Sequence, residues 1–227
     1  MLAVIKKELK NYFFTPVGYI VIGIFLTCFS AIFFLTTIQT PSVDLTNLFY
    51  GTAIYGLMFM VPILTMWTIS GERRSGTDQI LMTSPVGMFG AVIAKFLSAY
   101  ILIFVPVICT LIYFAIISYY QIPNIPTYLT SALGFLLLSM TYISFGILAS
   151  SITESPIISG ILTFSMVFIT TWIPSWFSSL KDFSLLDLFI KYLYGQIDIA
   201  DTVTFVCFTV VCLLLTVIIL QRRKSVK

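Results

Sequence analysis

The feature that most restricts this sequence is where its charges are absent. Residues 96–153 contain no Asp, Glu, Lys or Arg, and neither do residues 11–43, 45–71, 155–180 or 202–221. A water-soluble globule cannot leave its surface so bare, because ordinary domains carry about 25% charged residues. Here only 9% are charged and 59% are hydrophobic. A chain that faces lipid has no aqueous surface to cover over those stretches. At about 20 residues per crossing, the 227 residues accommodate six. The expected fold is an all-α integral membrane bundle with six transmembrane helices, a single domain over residues 1–227.

The crossings are expected at about 17–38, 51–70, 96–118, 130–151, 157–174 and 202–220. Ahead of them, within residues 1–15, Leu2, Ile5, Leu9, Tyr12 and Phe13 repeat at helical spacing, while Lys6, Lys7, Lys10 and Asn11 take the other face. That pattern predicts a short amphipathic helix at the membrane interface. The apolar run from Pro16 to Ile38 is longer than a signal-peptide core and is followed by no small-residue cleavage pattern, so it is expected to be retained as the first crossing. Basic residues gather near the N-terminus, between crossings two and three, and at Arg222, Arg223, Lys224 and Lys227, whereas the opposite side holds only Lys181 and Lys191. The bias of Lys and Arg toward the cytoplasm puts both termini inside, in a multi-pass protein of a bacterial cytoplasmic membrane.

Several chemistries are excluded or unsupported. There is no histidine, which removes His-based triads, relays and metal sites. Cys28, Cys109, Cys207 and Cys212 all lie in apolar runs and read as buried small hydrophobes. Gly71 and Gly76 have the spacing of a phosphate-binding loop, but no Lys-Ser or Lys-Thr follows and no strand precedes. Those missing groups are what hold phosphate and Mg²⁺, so no nucleotide site, catalytic residue, metal or cofactor is expected. Proton- or Na⁺-coupled transport normally places an ionisable group at bilayer depth, and the crossings offer none beyond Lys95 and Asp201 at their ends. The hydroxyls inside them (Thr27, Ser30, Thr65, Thr68, Ser98, Ser139, Thr141, Ser144, Thr163, Ser165) are each expected to bond a carbonyl of their own helix. Pro62, Pro106 and Pro174 interrupt the helical ladder. Pro62 and Pro106 read as ordinary kinks or as hinges. Gly146 and Ser150 form a small-xxx-small pair of the kind that lets helices approach.

Two segments between crossings are longer than a connector needs, which is about 2–8 residues. Residues 71–95 mix Glu72, Arg73, Arg74, Asp78 and Lys95 with Ile80, Leu81, Met82, Val86, Met88 and Phe89. That mixture predicts a helix on the membrane surface with charge available to a soluble partner, or a solvated loop whose arginines fix topology. Gly76 is placed to take a positive φ at a helix-to-turn junction. Residues 175–201 carry a stripe of Phe183, Leu186, Phe189, Ile190 and Leu193 beside Lys181, Asp182, Asp187 and Lys191. They are expected to form short amphipathic or re-entrant helices in the outer leaflet. Trp172 and Trp176 sit where an interfacial aromatic belt belongs.

Four pieces in order then resemble one known family. They are Ile5-Lys-Lys-Glu-Leu-Lys10 with Tyr12-Phe13 and Gly18-Tyr19-Ile20, and Glu72-Arg73-Arg74-Ser75-Gly76-Thr77 with Ile80-Leu81-Met82-Thr83-Ser84-Pro85 and Ala94-Lys95. The others are Gly146 to Ser151 with Thr153-Glu154, and Gly195-Gln-Ile-Asp-Ile-Ala-Asp201. Together they resemble the ABC-2 type permeases of ATP-binding-cassette transporters, in particular the gliding-motility-type subunits. The resemblance implies a permease that forms the substrate pathway of an exporter. It implies pairing with a second permease subunit, as homodimer or heterodimer, and docking of a separate ABC ATPase subunit. It further implies that Glu72, Arg73, Arg74, Ser75, Gly76, Thr77, Leu81, Ser84 and Pro85 belong to the segment contacting that ATPase. Its partners are then the two subunits and the lipid bilayer, with no nucleic acid.

A non-transporting membrane scaffold would share the six crossings and the charge bias, but gives residues 71–95 no role. An intramembrane enzyme would need paired acids, a Ser-His dyad or a metal site within the bilayer, and the sequence has none.

Overall fold

In hydrocarbon, every backbone N–H and C=O must find its partner within the protein, and a helix does this within one segment. A computed structural model describes residues 2–14, 16–38, 46–76, 87–120, 124–176 and 184–226, and every regular element among them is helical. Helix α1 (Leu2–Phe14) precedes α2 (Pro16–Phe33), which ends in a π-helical turn, Phe34–Ile38. The second crossing is assembled from α3 (Thr46–Gly51), a π-helical turn (Thr52–Leu57), α4 (Met58–Thr65) and α5 (Ser70–Arg74). Then come α6 (Gly87–Tyr120), α7 (Ile125–Ile152), α8 (Pro156–Trp176), α9 (Leu185–Leu193) and α10 (Ile199–Val226).

Five of these helical stretches are long and apolar enough to cross a membrane: Gly18–Thr36, Thr46–Arg74, Gly87–Tyr119, Ile125–Ile152 and Ile199–Arg222. Helix α8 supplies a shorter apolar stretch, Pro156–Trp172. Its 21 residues reach about 31 Å at 1.5 Å per residue, the thickness of a hydrocarbon core. Five of the six expected crossings thus have a helix long and apolar enough to span, and the other falls on this shorter apolar helix.

Helix α7 is the central post. It packs against α10, α8, α9, α6, α4 and α3, and 72% of its most apolar window is buried, against 33% for α6 and α10. Every side chain from Thr141 to Ser151 is buried. Around it an aromatic cluster fills the interior: Phe25, Phe29, Phe49 and Phe135 all have 0% exposure. Their ring centroids lie 5.9–6.5 Å apart in tilted and edge-on pairs, the spacing aromatic quadrupoles favour. The outer helices show the opposite face, with Val203, Val206, Val210, Leu214 and Ile218 of α10 exposed where lipid would cover them.

The hydroxyls follow their expected pattern. Thr27, Thr65, Thr68, Ser98, Ser139, Thr141, Ser144, Thr163 and Ser165 each donate to a carbonyl three or four residues back. Ser30 differs, pairing with the Tyr113 hydroxyl of α6 at 2.6 Å. The cysteines depart from expectation. All four are free thiols, but only Cys212 is buried, Cys28 and Cys109 are half-buried, and Cys207 is exposed. On an outer helix an apolar run is no sign of burial, because the lipid side is apolar too.

Boundaries also differ. The second crossing starts at Thr46 and continues to Arg74, so Glu72, Arg73 and Arg74 form a helix end. Helix α6 begins at Gly87 and is 34 residues long. Lys95 therefore lies inside it, two helical turns past its start, and is 2% exposed.

Candidate functional site

Two carboxylates near the α5 end of the bundle, Glu8 and Glu72, converge on Lys95. Its side chain leaves α6 between α1 and the second crossing. Nζ donates to the Thr68 carbonyl at 2.7 Å, meets Glu72 Oε1 at 2.8 Å and meets Glu8 Oε1 at 3.3 Å. Two of these contacts are hydrogen bonds, to the Thr68 carbonyl and to Glu8, and the third is an ion pair with Glu72. Glu8 comes from α1 and is 7% exposed; Glu72 comes from α5. One buried cation thus ties together the N-terminal helix, the end of the second crossing and the start of the third. Buried charges are tolerated only when paired and hydrogen-bonded, and this arrangement meets that condition.

A cavity of about 310 Å³ opens beside the node, lined by Glu8, Asn11, Tyr12, Leu64, Trp67, Thr68, Glu72 and Lys95. Burial pushes the Tyr12 phenol well above the ordinary tyrosine range, and the charges of Glu8 and Glu72 add to the effect. Tyr12 is therefore a neutral group at physiological pH.

Thr68 offers its carbonyl because the second crossing breaks there. Met66 to Ile69 form a turn between α4 and α5, which releases backbone groups from the α-helical ladder. Several find partners outside the ladder. The amides of Ile69 and Ser70 donate to Ser150 Oγ of α7 at 3.1 and 2.9 Å, so a neighbouring helix caps α5. The Thr68 hydroxyl bonds the Thr65 carbonyl at 2.7 Å. One turn earlier on α7, Gly146 lies so close to Thr65 that an added Cβ would overlap its hydroxyl. The Gly146–Ser150 pair is the seat of the broken crossing: the glycine admits Thr65 and the serine holds the break.

The expected partner-facing residues occupy the end of this joint. Glu72 is part of the Lys95 node. Arg73 Nη1 donates to the Thr153 carbonyl in the α7–α8 turn at 3.4 Å. Arg74 is exposed. The Ser75 hydroxyl closes the helix end by donating to the Gly71 and Glu72 carbonyls at 3.1 Å. Gly76 takes φ +71°, as its place after the helix predicts. Thr77, Leu81, Ser84 and Pro85 fall outside the described residues. Pro62 lies buried within α4, between the π-helical turn and the break. Pro106 is buried in α6, which continues through it.

At the other end of the bundle, α9 is capped by Ser184, whose hydroxyl accepts from the Asp187 amide at 3.1 Å. Its buried face is Leu185, Phe189, Tyr192 and Leu193, seated on α7 and α3. This shifts the expected stripe: Leu185 and Tyr192 join it, and Phe183 is outside the described residues. A Cβ on Gly134 of α7 would stand 2.6 Å from the Tyr192 Cβ, so α9 rests on protein there. Lys191 Nζ pairs with Asp201 at 2.9 Å, fastening α9 to the start of α10. Trp172 on α8 is exposed.

Sequence reasoning missed the roles of Glu8 and of Ser150 as a cap, and the depth of Lys95. Glu8 had a signal: at helical spacing it shares a face with Ile5, Leu9 and Tyr12, so an acid stood in the buried stripe of α1. Spacing marked Ser150 only as one of a small-residue pair; its capping role had no signal, because it depends on a break in another helix.

Among the described residues, no group of three or more His, Cys, Asp or Glu is placed to hold a metal. Compared with known protein families, the chain matches one described as "ABC-2 family transporter protein" over residues 35–219. A comparison with curated proteins finds no match.

Proposed function

Since this chain belongs to the ABC-2 family of transporter proteins and is thereby a multi-pass permease subunit rather than a catalyst, we propose that it is an exporter subunit driven by a separate ATPase. The ATPase docks on the end of the bundle that carries Glu72, Arg73, Arg74, Ser75 and Gly76, with residues 77–86, including Thr77, Leu81, Ser84 and Pro85, completing the docking segment. That end faces the cytoplasm with both termini, a reading the distribution of Lys and Arg supports. A second permease subunit completes the pathway. The resemblance to the gliding-motility type rests on the sequence pieces alone.

The observation that carries this reading is the Lys95 node. A partner pressing on the α5 end meets an element tied through Glu72 to α6 and, through Lys95, to Glu8 of α1. Displacement there reaches three elements at once, which is what a transmission point needs. The break at Met66–Ile69, with Pro62 one turn before it, gives the second crossing a place to bend. Pro106 gives α6 another.

Affinity purification from solubilised native membranes, with mass spectrometry of what copurifies, tests the docking. The wild type is expected to bring down a P-loop ATPase. Arg74→Glu, at an exposed position outside the Lys95 node, is expected to lose it while the chain stays folded. Absence of any ATPase with folded wild type, or full retention with Arg74→Glu, would count against this docking site.

A further inference from the structure

The cavity beside Lys95 holds more negative than positive charge. Among its lining side chains, Glu8 and Glu72 contribute two carboxylates and Lys95 one ammonium, and Tyr12 stays a neutral phenol. Lys95 is already engaged, with hydrogen bonds to the Thr68 carbonyl and Glu8 and an ion pair to Glu72. An anionic headgroup would therefore meet two carboxylates and a cation already paired with both. A cation would meet an excess negative charge of one, with Asn11 and two aromatic rings, Tyr12 and Trp67, around it. Trp67 is half exposed, so its indole stands at the mouth, and an ammonium over an indole face is attracted by the ring quadrupole. The remaining wall includes Leu64. The site sits at the end of the membrane-crossing stretch Thr46–Arg74, the depth at which lipid headgroups lie.

We propose that this cavity binds the ammonium headgroup of a zwitterionic amino-phospholipid from the surrounding leaflet. The headgroup amine sits between Glu8, Glu72 and Trp67, and the acyl chains remain in the bilayer. The inference rests on membrane embedding and on the cavity, not on ATPase docking, so either can fail without the other. A lipid there would wedge the seam between α1 and the second crossing and bias the node that joins them.

Native mass spectrometry of the intact chain in detergent, with phosphatidylethanolamine or phosphatidylglycerol added at equal concentration, tests this. The wild type is expected to retain the ethanolamine lipid roughly threefold more than the glycerol lipid, the lower range for an ion–aromatic contact. Glu8→Gln, which removes the excess charge, and Trp67→Leu, which removes the exposed indole, are each expected to abolish that preference. Trp67→Leu decides the matter if Glu8→Gln does not fold. Free ethanolamine in tenfold excess is expected to leave the lipid bound. Equal retention of both lipids by the wild type would overturn the proposal. So would an unchanged preference in a folded variant, and displacement by free ethanolamine would overturn the lipid as the source of the amine.

Discussion

At the scale of single residues, Lys95 and Lys191 show two ways of holding a cation. Lys95 is 2% exposed and faces two carboxylates. Lys95→Met leaves Glu8 and Glu72 facing each other without it, and breaking a buried pair in this way costs about 3–5 kcal/mol. Thermal unfolding in detergent is expected to show that loss, with much of it recovered when Glu8→Gln and Glu72→Gln are added. No recovery would mean that the node is not what Lys95 stabilises. Lys191 is the exposed case. Its hydrogen bond to Asp201 raises its pKa above the ordinary 10.5, partial desolvation opposes that, and the charges of Asp201 and Asp198 add to the rise. The folded state then keeps a proton that the unfolded chain releases. The contribution of the pair is complete below about pH 10.5 and fades as pH rises through the folded-state value. Tyr12, raised by burial, acts with the same sign. The melting temperature is expected to fall at alkaline pH more steeply in the wild type than in Lys191→Met, and parallel profiles would remove the pair from the account.

At the scale of elements, the informative contact joins the broken second crossing to α7. Ser150→Ala deletes the acceptor for the Ile69 and Ser70 amides. Leaving buried donors unsatisfied costs about 1–3 kcal/mol. We expect lower thermal stability and, by hydrogen exchange, faster opening of residues 66–74 than of α7 itself. Uniform change across both helices would mean that the cap is not local. Gly146→Ala presses a methyl into Thr65, and overpacking costs about 1–3 kcal/mol. Because the first clash is with the Thr65 side chain, Thr65→Ala is expected to relieve part of the loss measured by thermal unfolding, and no relief would point to a clash elsewhere. These elements were half legible in the sequence. Spacing identified Gly146 and Ser150 as a pair of small residues, and composition located the crossings, though the third begins nine residues before its expected start. The break at Met66–Ile69 was not legible, because Met, Trp, Thr and Ile carry no turn signal and the break is held by a serine about 80 positions away. Lys95 was placed at a boundary because charge marks the end of an apolar run. It is inside instead because Glu8 and Glu72, on two other elements, neutralise it.

At the scale of the whole molecule, the arrangement is a central post with a joint at one end and a fastened cap at the other. Helix α7 touches most of the bundle, the Lys95 node gathers α1, α5 and α6, and Lys191–Asp201 ties α9 to α10. The crossings were readable because lipid imposes a length on every spanning helix, whatever its neighbours. Which faces meet protein was not readable, since both sides of an outer helix are apolar, and the exposed Cys207 shows the cost of judging by hydropathy alone. Helix α6 is an unbroken run from Gly87 to Tyr120, gripped at Lys95. From Gly87 to that grip is about 12 Å, and from the grip to Pro106 about 17 Å. A rod held at such a fulcrum is a lever whose inner arm is about 1.4 times its outer one. A push of one ångström at its outer tip swings the segment near Pro106 by about 1.4 Å, in the opposite direction.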